Sequence, residues 1–474
     1  MMSSDNLHSV KDNDKEPKYR MTISLRILKH LGINLYSSVP AVITEAVANA
    51  WDADANLVNV TVKNETIYIK DDGEGMTLAD INERFLEIGH DRRKAGFAVT
   101  PNGRKVMGRK GLGKLSLFSV ANVITVYTIK DGQKHAFRMD YQEIEQAIKD
   151  RLEGEYYPKE VQFSPPKEVD KGTMIVLEGL KLSRTASIGV LKRSLARRFS
   201  VIGERNKFTV RINEEKVDPS DRDFLKKLQY VWYFGEQEEK EALQRSAQNG
   251  KFFEGHQKGI VSKEENWKVK GWLGTTEEPK DLKSDEANLN TIVVMARGRV
   301  VHENLLSEFN DGRLYTKYIS GEIQADFLDL DDRDDIATSS RQALIEDDDR
   351  FIKLKRFVQE QLKKIAKSWN ELRDKDGASK AAKENPSLKR WMESFDGDNR
   401  SAAEKLIGHI QGLSLDEDAS RKELYKYGII AFEKLRMKQQ REKLDALTTF
   451  NSAQFKAIFD EVDELEAGFY HDIV

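Results

Sequence analysis

Cysteine is absent from the 474 residues of the chain. Its absence excludes a disulfide scaffold, thiolate metal sites and a cysteine nucleophile, and it suits a reducing compartment. Long apolar runs are missing too. No stretch of about 18 apolar residues occurs, and the start, MMSSDNLHSVKDNDKEPK, lacks the apolar core of a signal peptide. The sequence therefore predicts a soluble, cytoplasmic protein with no membrane partner. An excess of either charge is also lacking, with 77 Lys and Arg against 80 Asp and Glu and a net charge of −3. That balance argues against coating nucleic acid through overall charge, although a local basic channel is compatible with it. Metal-independent chemistry, or chemistry of carboxylates and phosphates, remains open.

What is present describes a folded chain. Hydrophobic residues make up 39% and glycine numbers 30, which together reach the globular range, and the length corresponds to roughly three domains. Charged residues at 33% point to long, solvent-laced helices. Residues 1–18 are polar and aperiodic and read as a disordered lead-in. From 19 to 200, β-rich runs at Leu57 to Val62, Thr66 to Lys70, Val123 to Thr128 and Thr173 to Glu178 alternate with helix candidates at Pro40 to Ala53, Leu78 to Ile88 and Gly113 to Ala121. This mixture predicts a sheet covered on one face by helices. Residues 201–350 read as a second α/β domain, with a strand at Thr291 to Met295, a turn at Arg297-Gly298 and a return strand from Arg299. Beyond 350 the pattern is helical. Phe351, Leu354, Val358, Leu362, Ile365, Trp369 and Leu372 form one apolar face, Ser401 with Glu404 makes a capping-box signature, and Leu424, Tyr427, Ala431 and Leu435 continue the helical period. The abrupt ending after a helical run from Ala453 reads as a fragment of a longer protein.

Three clusters in the first region carry chemistry. Glu45, Asn49 and Asp52 fall at i, i+4 and i+7 on one side of a helix whose other face is apolar. An acidic side chain there can activate water, and an amide oxygen can bind Mg²⁺, while a plain solvated polar face is the competing reading. Asp71-Asp72-Gly73-Glu74-Gly75-Met76 follows a β run directly. Glycines let a ligand lie against the backbone, and a carboxylate at a strand end can accept from an amino group such as that of adenine. An ordinary Asp-Gly turn competes, whereas the spacing of a calcium loop is absent. The third cluster is Gly108-Arg109-Lys110-Gly111-Leu112-Gly113-Lys114-Leu115-Ser116. It nearly matches a Walker A loop, but Leu115 stands where a magnesium-binding Ser or Thr is required, so a P-loop is rejected. A glycine-rich turn opening a helix still presents backbone N–H groups to phosphates.

These motifs, in this order and followed by Gly172-Thr173 at the opening of a β run, resemble the GHKL ATPase superfamily, which includes gyrase B subunits, heat-shock-protein-90 chaperones, MutL proteins, MORC proteins and histidine kinases. The resemblance implies a Bergerat α/β sandwich that binds ATP with Mg²⁺. By that resemblance Glu45 is the general base, Asn49 the Mg²⁺ ligand and Asp71 the adenine contact. Gly73, Gly75 and Met76 line the adenine and ribose, Thr173 supports Asp71, and Gly108, Gly111, Leu112 and Gly113 hold the phosphates, with Lys114 an extra charge. Residues Thr77 to Met107 correspond to a mobile lid, whose Arg92, Arg93, Lys94, Arg104 and Lys105 are either ligand contacts or solvated surface. Asp334-Asp335-Ile336 through Arg341-Gln342-Ala-Leu344 resembles the heat-shock-protein-90 segment that returns an arginine to the γ-phosphate, making Arg341 the sensor candidate beside the reading of a surface helix cap.

The branch is drawn by further likenesses. Trp51-Asp52-Ala53-Asp54, Asp71-Asp72-Gly73 and Gly321 to Leu328 look closer to MORC-like and other prokaryotic ATPases. A kinase is disfavoured, because Glu45 stands where kinases carry Asn or His and no acceptor helix precedes the domain. Two outputs remain. One is a homodimeric, ATP-gated clamp on DNA, in genome maintenance or antiviral defence, with a basic stripe of Lys192, Arg193, Arg197, Arg198, Arg205 and Lys207 in its favour, a stripe that reads equally as a solvated helix face. The other is a protein-remodelling chaperone or a regulatory ATPase that docks a protein effector.

Overall fold

The computed structural model describes residues 39–87, 96, 98–109, 116–149, 156–181, 187–218, 221–283, 288–309, 314–338, 343–413 and 418–437. The chain divides into two compact units. The first comprises residues up to 251 with 259–308 and 319–353, and the second comprises 252–258, 309–318 and 354 onward.

The first unit opens with α1 (Val39–Asp52), in which every residue except Pro40 and Asn49 is buried. Alanines at 41, 46, 48 and 50 favour the helix, and Pro40 sits in the first turn, where its missing N–H costs nothing. A helix apolar almost all round must be enclosed. It is enclosed by an eight-stranded sheet composed of β1 (Leu57–Lys63), β2 (Thr66–Asp71), β3 (Ala121–Lys130), β4 (Gln133–Asp140), β5 (Lys159–Glu160), β6 (Gly172–Leu180), β7 (Thr209–Ile212) and β8 (Glu215–Lys216), in the order β5-β4-β3-β6-β2-β1-β7-β8. Val42, Ile43 and Val47 of α1 share one core with Val58, Ile67, Ile124, Leu177 and Val210. Burying each such side chain contributes about 1.5–3 kcal/mol. α2 (Tyr141–Lys149) follows β4, and α3 (Ile188–Arg198) is capped by the Ser187 hydroxyl, which accepts from the Val190 N–H. The sheet is antiparallel except that β1 and β7 run parallel.

All four predicted strands form, within a few residues of the expected limits. Two helices depart from expectation. The run from Leu78 is helical only to Phe85 and in two pieces, a capped turn at Leu78–Asp80 and a π-helical turn at Ile81–Phe85. Thr77 and Asp80 cap its start reciprocally, and the wider second turn buries Ile81 while Leu78 remains 58% exposed. In the helix expected to reach Ala121, the described part spans Leu117–Val120, because Ala121 is claimed by cross-strand pairing with Leu180.

A second sheet in this unit includes β9 (Leu228–Phe234), β10 (Lys270–Thr276), β11 (Ile292–Ala296), β12 (Arg299–His302) and β13 (Ile319–Gln324), neighbours in the order β9-β10-β13-β11-β12. The predicted Arg297-Gly298 turn joins β11 to β12, with φ of +52° and +80°. Two consecutive left-handed residues are what a two-residue hairpin of matching twist requires.

The second unit is helical. α4 (Asp349–Glu384), whose first residues to Lys353 belong to the first unit, is followed by α5 (Pro386–Glu393), α6 (Gly397–Gln411) and α7 (Asp418–Met437). The predicted apolar face of α4 is buried from Phe351 through Trp369, and Leu372 is half-buried. A core of Leu388, Trp391, Leu406, Ile410, Ile429 and Phe432 joins α5, α6 and α7. Backbones meet where α4 crosses α6, since a Cβ on Gly408 would lie 1.8 Å from the Asp374 carbonyl oxygen. The helical period through Leu424, Tyr427, Ala431 and Leu435 falls within α7, and one sequence reading is corrected. Ser401 is interior to α6, which begins at Gly397 behind Asp396, and Glu404 instead accepts from Arg400 one turn earlier (3.0 Å). Tyr427 is 41% exposed, while Tyr425 is buried with its hydroxyl donating to Gln411.

Gly75 and Gly132 test how backbone crowding shapes the first sheet. Both have positive φ, +72° and +78°, but a Cβ at Gly75 would meet the Ile129 carbonyl oxygen at 2.1 Å and one at Gly132 would meet nothing within 4 Å. Gly132→Ala is expected to cost about 1 kcal/mol, the strain of a left-handed alanine, and Gly75→Ala at least about 2 kcal/mol more. Denaturant midpoints of the two variants measure the difference.

Candidate active site

β2 ends at Asp71, which pairs with Thr173 of β6. The Asp71 carboxylate accepts from the Gly73 N–H at 2.9 Å and from the Thr173 backbone N–H. Burial nevertheless raises its pKa to about 6, the two hydrogen bonds opposing and Asp72 adding to the rise. Close backbone approach fixes the group. A Cβ on Gly73 would lie 2.7 Å from the Ala53 carbonyl oxygen, and one on Gly172 would lie 2.3 Å from that of Asp71. The Met76 N–H donates to the Thr128 hydroxyl (2.9 Å), which lies 3.2 Å from the Thr173 hydroxyl. Asp71, Gly73, Gly75, Met76 and Thr173 thus form one contiguous cluster, with Thr128 as a member that the sequence reading missed.

The second cluster lies on α1. Glu45 and Asp52 are not a solvated polar face, because they are only 6% and 4% exposed, whereas Asn49 between them is exposed. Asp52 accepts from the backbone N–H groups of Met107 (2.7 Å) and Gly108 (2.8 Å). Gly108 is therefore drawn onto the end of α1, where a Cβ would meet the Asp52 carboxylate at 2.8 Å. Further ties hold the same segment. Trp51 Nε1 donates to the Lys105 carbonyl (3.0 Å), Asp54 accepts from the Thr100 hydroxyl and the Asn102 N–H, and Arg104 lies over the Trp51 ring while donating to Ala55 and Asn56. The last part of the expected lid, residues 98–107, is thereby bonded to the end of α1, and Arg104 serves as a strut rather than as solvated surface.

The third group comes from the second sheet. Arg299, at the start of β12, donates through Nη2 to Glu45 Oε1, and both side chains are less than 8% exposed. Arg109 donates to Asp329 (3.2 Å) and to the carbonyls of Leu330 and Arg333. Lys105 pairs with Asp326 at 3.6 Å. Neither Arg299 nor Arg109 was given a role from the sequence. The available signal was Arg299 itself, a charge opening the strand Arg-Val-Val-His, which needs a partner if the strand is buried. Gly111, Leu112, Gly113, Lys114 and Arg341, with Arg92, Arg93 and Lys94, lie outside the described residues.

Among the described residues no group of three or more His, Asp or Glu side chains could hold a metal by itself. Mg²⁺ fits a sparser donor set, since it binds through one or two protein oxygens and completes its shell with water and substrate phosphates. The exposed Asn49 amide beside the Gly108 anchorage meets that requirement.

With burial raising the Asp71 pKa to about 6, an amino group such as that of adenine, if held by this carboxylate, would be recognised in a pH-dependent way. The ionised carboxylate is the better acceptor for an amino group, so affinity is present above pH 6 and declines as pH falls through it. Adenosine, which has no phosphate to titrate, is expected to bind more weakly at pH 5 than at pH 7.5, by up to about tenfold per unit below 6. Asp71→Asn is expected to lose binding at both pH values. Calorimetric titration checks both, and unchanged affinity in Asp71→Asn removes the adenine contact.

Comparison with known proteins accords with this arrangement. Residues 36–173 match the family described as histidine kinase-, DNA gyrase B-, and HSP90-like ATPase. The chain is also 37% identical over 397 residues to the "Putative type II restriction enzyme HgiDII" of Herpetosiphon aurantiacus, a match covering 81% of this chain and 62% of that protein. No described helix is long and apolar enough to cross a membrane. With the Asp71 cluster at the end of β2 and the glycine-bearing segment fastened to α1, the chain carries a GHKL-type ATPase domain.

Proposed function

We propose that the protein hydrolyses ATP with Mg²⁺ and couples the cycle to DNA as a homodimeric clamp. The observation that supports the ATPase reading is the attachment of Gly108 to Asp52, which ties the glycine that opens the Gly108-to-Lys114 run to the helix that carries Glu45 and Asn49. In this reading Asp71 accepts from the adenine amino group, Gly73, Gly75 and Met76 give the base and ribose a close-fitting backbone, and Thr173 holds Asp71. Gly108 and Gly111 to Lys114 receive the phosphates. Mg²⁺, when held by Asn49, supplies charge neutralisation at the phosphate oxygens. Glu45 takes the proton of the attacking water, a role that requires its carboxylate to be within one hydrogen bond of that water.

DNA is favoured by two observations. The relative whose length the chain spans to 62% is named as a type II restriction enzyme. A cleft of about 750 Å³ in the first unit is lined by Arg193, Arg197, Arg198, Arg222, Lys227 and Lys283 against Asp221, Asp281 and Glu303. Several of these cations are already matched, Arg198 by Glu303, Arg222 by Glu322 and Lys227 by Asp281. Arg197 is different. It donates to the neutral Thr291 hydroxyl (3.2 Å), and burial with Arg222 and Arg198 nearby holds its guanidinium below its usual pKa against the pull of Glu322 and Glu303. An under-neutralised guanidinium in an open cleft suits a phosphate. Of the remaining stripe, Lys192 is paired with Glu215 and Asp221, and Arg205 with Glu239.

Two outcomes test the reading. Glu45→Gln is expected to retain nucleotide binding and lose turnover by at least about 10²-fold in a phosphate-release assay. Arg197→Ala is expected to weaken DNA binding and to reduce the slope of log affinity against log salt by about one, for the one phosphate-binding cation removed. ATPase activity indifferent to DNA but stimulated by a protein client would replace the clamp with the chaperone.

A further inference from the structure

The basic cleft takes its walls from α3, β11 and β12 and the loops beside them, and it is too small for a double helix. Its volume is about 750 Å³, the size of sites that enclose one small molecule. What enters it from DNA is a nucleotide or two, free of the duplex. The walls carry the two kinds of surface that such a unit needs. Val190, Leu289, Val293 and Val300 supply an apolar side, and Val293 and Val300 form with Met295 a small apolar cluster apart from the main core. The cationic side is Arg197, Arg198 and Arg222, and two carboxylates answer these three guanidiniums. Glu303 takes Arg198 and Glu322 takes Arg222, each at 2.5 Å, which leaves Arg197 with the Thr291 hydroxyl. Lys283 is exposed in the same lining and has no ion pair with a described carboxylate. Asn304 also lines the cleft, and its side-chain oxygen is enclosed without a hydrogen-bond partner. An acceptor left in that state costs stability unless a ligand brings the donor.

We propose that the cleft seats the terminal nucleotide of a DNA strand, with its phosphomonoester on Arg197 and Lys283 and its base against the apolar wall. Charge separates a strand end from the interior of a strand. An internal phosphodiester carries one negative charge, whereas a terminal phosphomonoester carries nearly two and presents three acceptor oxygens. One unmatched guanidinium and one unmatched ammonium therefore suit the terminus better, the guanidinium through two parallel hydrogen bonds and the ammonium as a point charge. An N–H on the edge of the base supplies the donor that Asn304 lacks. Room for only one or two nucleotides selects in the same direction, because a strand end enters such a space without the kink that an internal nucleotide requires. The inference rests on DNA being the partner of this cleft and narrows what part of DNA is bound there.

The full chain is titrated, by fluorescence anisotropy, with short duplexes bearing a single-stranded overhang, 5′ or 3′, that ends in a phosphate or in a hydroxyl. For at least one polarity the phosphorylated end is expected to bind about tenfold tighter than the hydroxyl end. Arg197→Ala is expected to abolish that preference, and Arg197→Lys and Lys283→Ala to reduce it to about threefold. Asn304→Ala, which touches the base, is expected to weaken both ends by a similar factor. Arg197→Ala removes a largely enclosed guanidinium and can fail to fold; Lys283→Ala, at an exposed side chain, keeps the comparison decisive. Thymidine 5′-monophosphate, which offers Asp71 no adenine amino group, is the competitor and is expected to displace the phosphorylated end only at much higher concentration. Displacement at equal concentration makes a free nucleotide the ligand and overturns the strand end. Equal affinity for phosphate and hydroxyl ends of both polarities, or a preference that Arg197→Lys and Lys283→Ala leave unchanged, overturns the terminal seat while leaving the DNA reading intact. Failure of wild type to bind any of the duplexes overturns both.

Discussion

The carboxylate of Asp52 holds the first unit's site together. It sits at the last residue of α1 and takes the N–H groups of Met107 and Gly108, which are separated from it by more than fifty residues of chain. Two charge-assisted hydrogen bonds to backbone in a buried setting are individually stronger than neutral ones, and removing their acceptor would strand both donors. The half of the site built on α1 follows from that tie. Asn49 and Glu45 lie one and two turns back along the same helix, Arg109 follows the anchored glycine directly, and the hairpin bearing Arg299 packs against the anchored Met107.

The architecture ties helix and loop together through backbone hydrogen bonds to Asp52, and joins the second sheet to them through ion pairs beside the Ser200–Gly298 backbone bond. The buried pairs Glu45–Arg299 and Arg109–Asp329 make these ties, with the exposed pair Lys105–Asp326 beside them. Pairs of this kind differ from apolar packing in how they respond to a ligand. Burying two charges costs several kcal/mol that their attraction only roughly offsets, so a third charge can redistribute the partners at small net cost. Apolar faces have no comparable means of sensing an anion. A junction built from arginines and aspartates is therefore suited to registering the charge of what lies beside Gly108.

Much of this was legible in the sequence and part of it was not. The strands from Leu57, Thr66, Val123 and Thr173 and the helix from Pro40 were readable because β-branched runs and an alanine-rich apolar segment set local structure strongly. The Asp71 group was marked by the resemblance of its motif rather than by spacing alone, since an Asp-Gly turn is common, and its glycines do approach the Ala53 and Ile129 carbonyls closely. Local signals misled where a tertiary partner decided the outcome. Ser401 and Glu404 have the spacing of a cap, yet the turn before them is already helical, and Ala121 is helix-favouring but paired in a sheet. For Glu45 and Asp52 the sequence left a site and a solvated polar face both open, because their partners, Arg299 and the Met107 and Gly108 amides, are 254 and 55–56 residues away. A periodicity argument cannot see such partners. It can only register that a charge on a buried element requires one.

The parallel pairing of β1 with β7 carries a consequence for how the chain can be cut or made. β7 and β8 come from residues 209–216, after α3, and they occupy one end of the sheet to which Asp71 and Thr173 belong. A polypeptide ending at residue 173, where the family match stops, or at residue 200, where the sequence suggested a domain boundary, would leave β1 as an open edge with its backbone groups exposed. During synthesis the same holds in time: the nucleotide-binding sheet stays incomplete until the ribosome has passed Lys216, and the nascent segment before that point presents an unpaired strand to whatever is near.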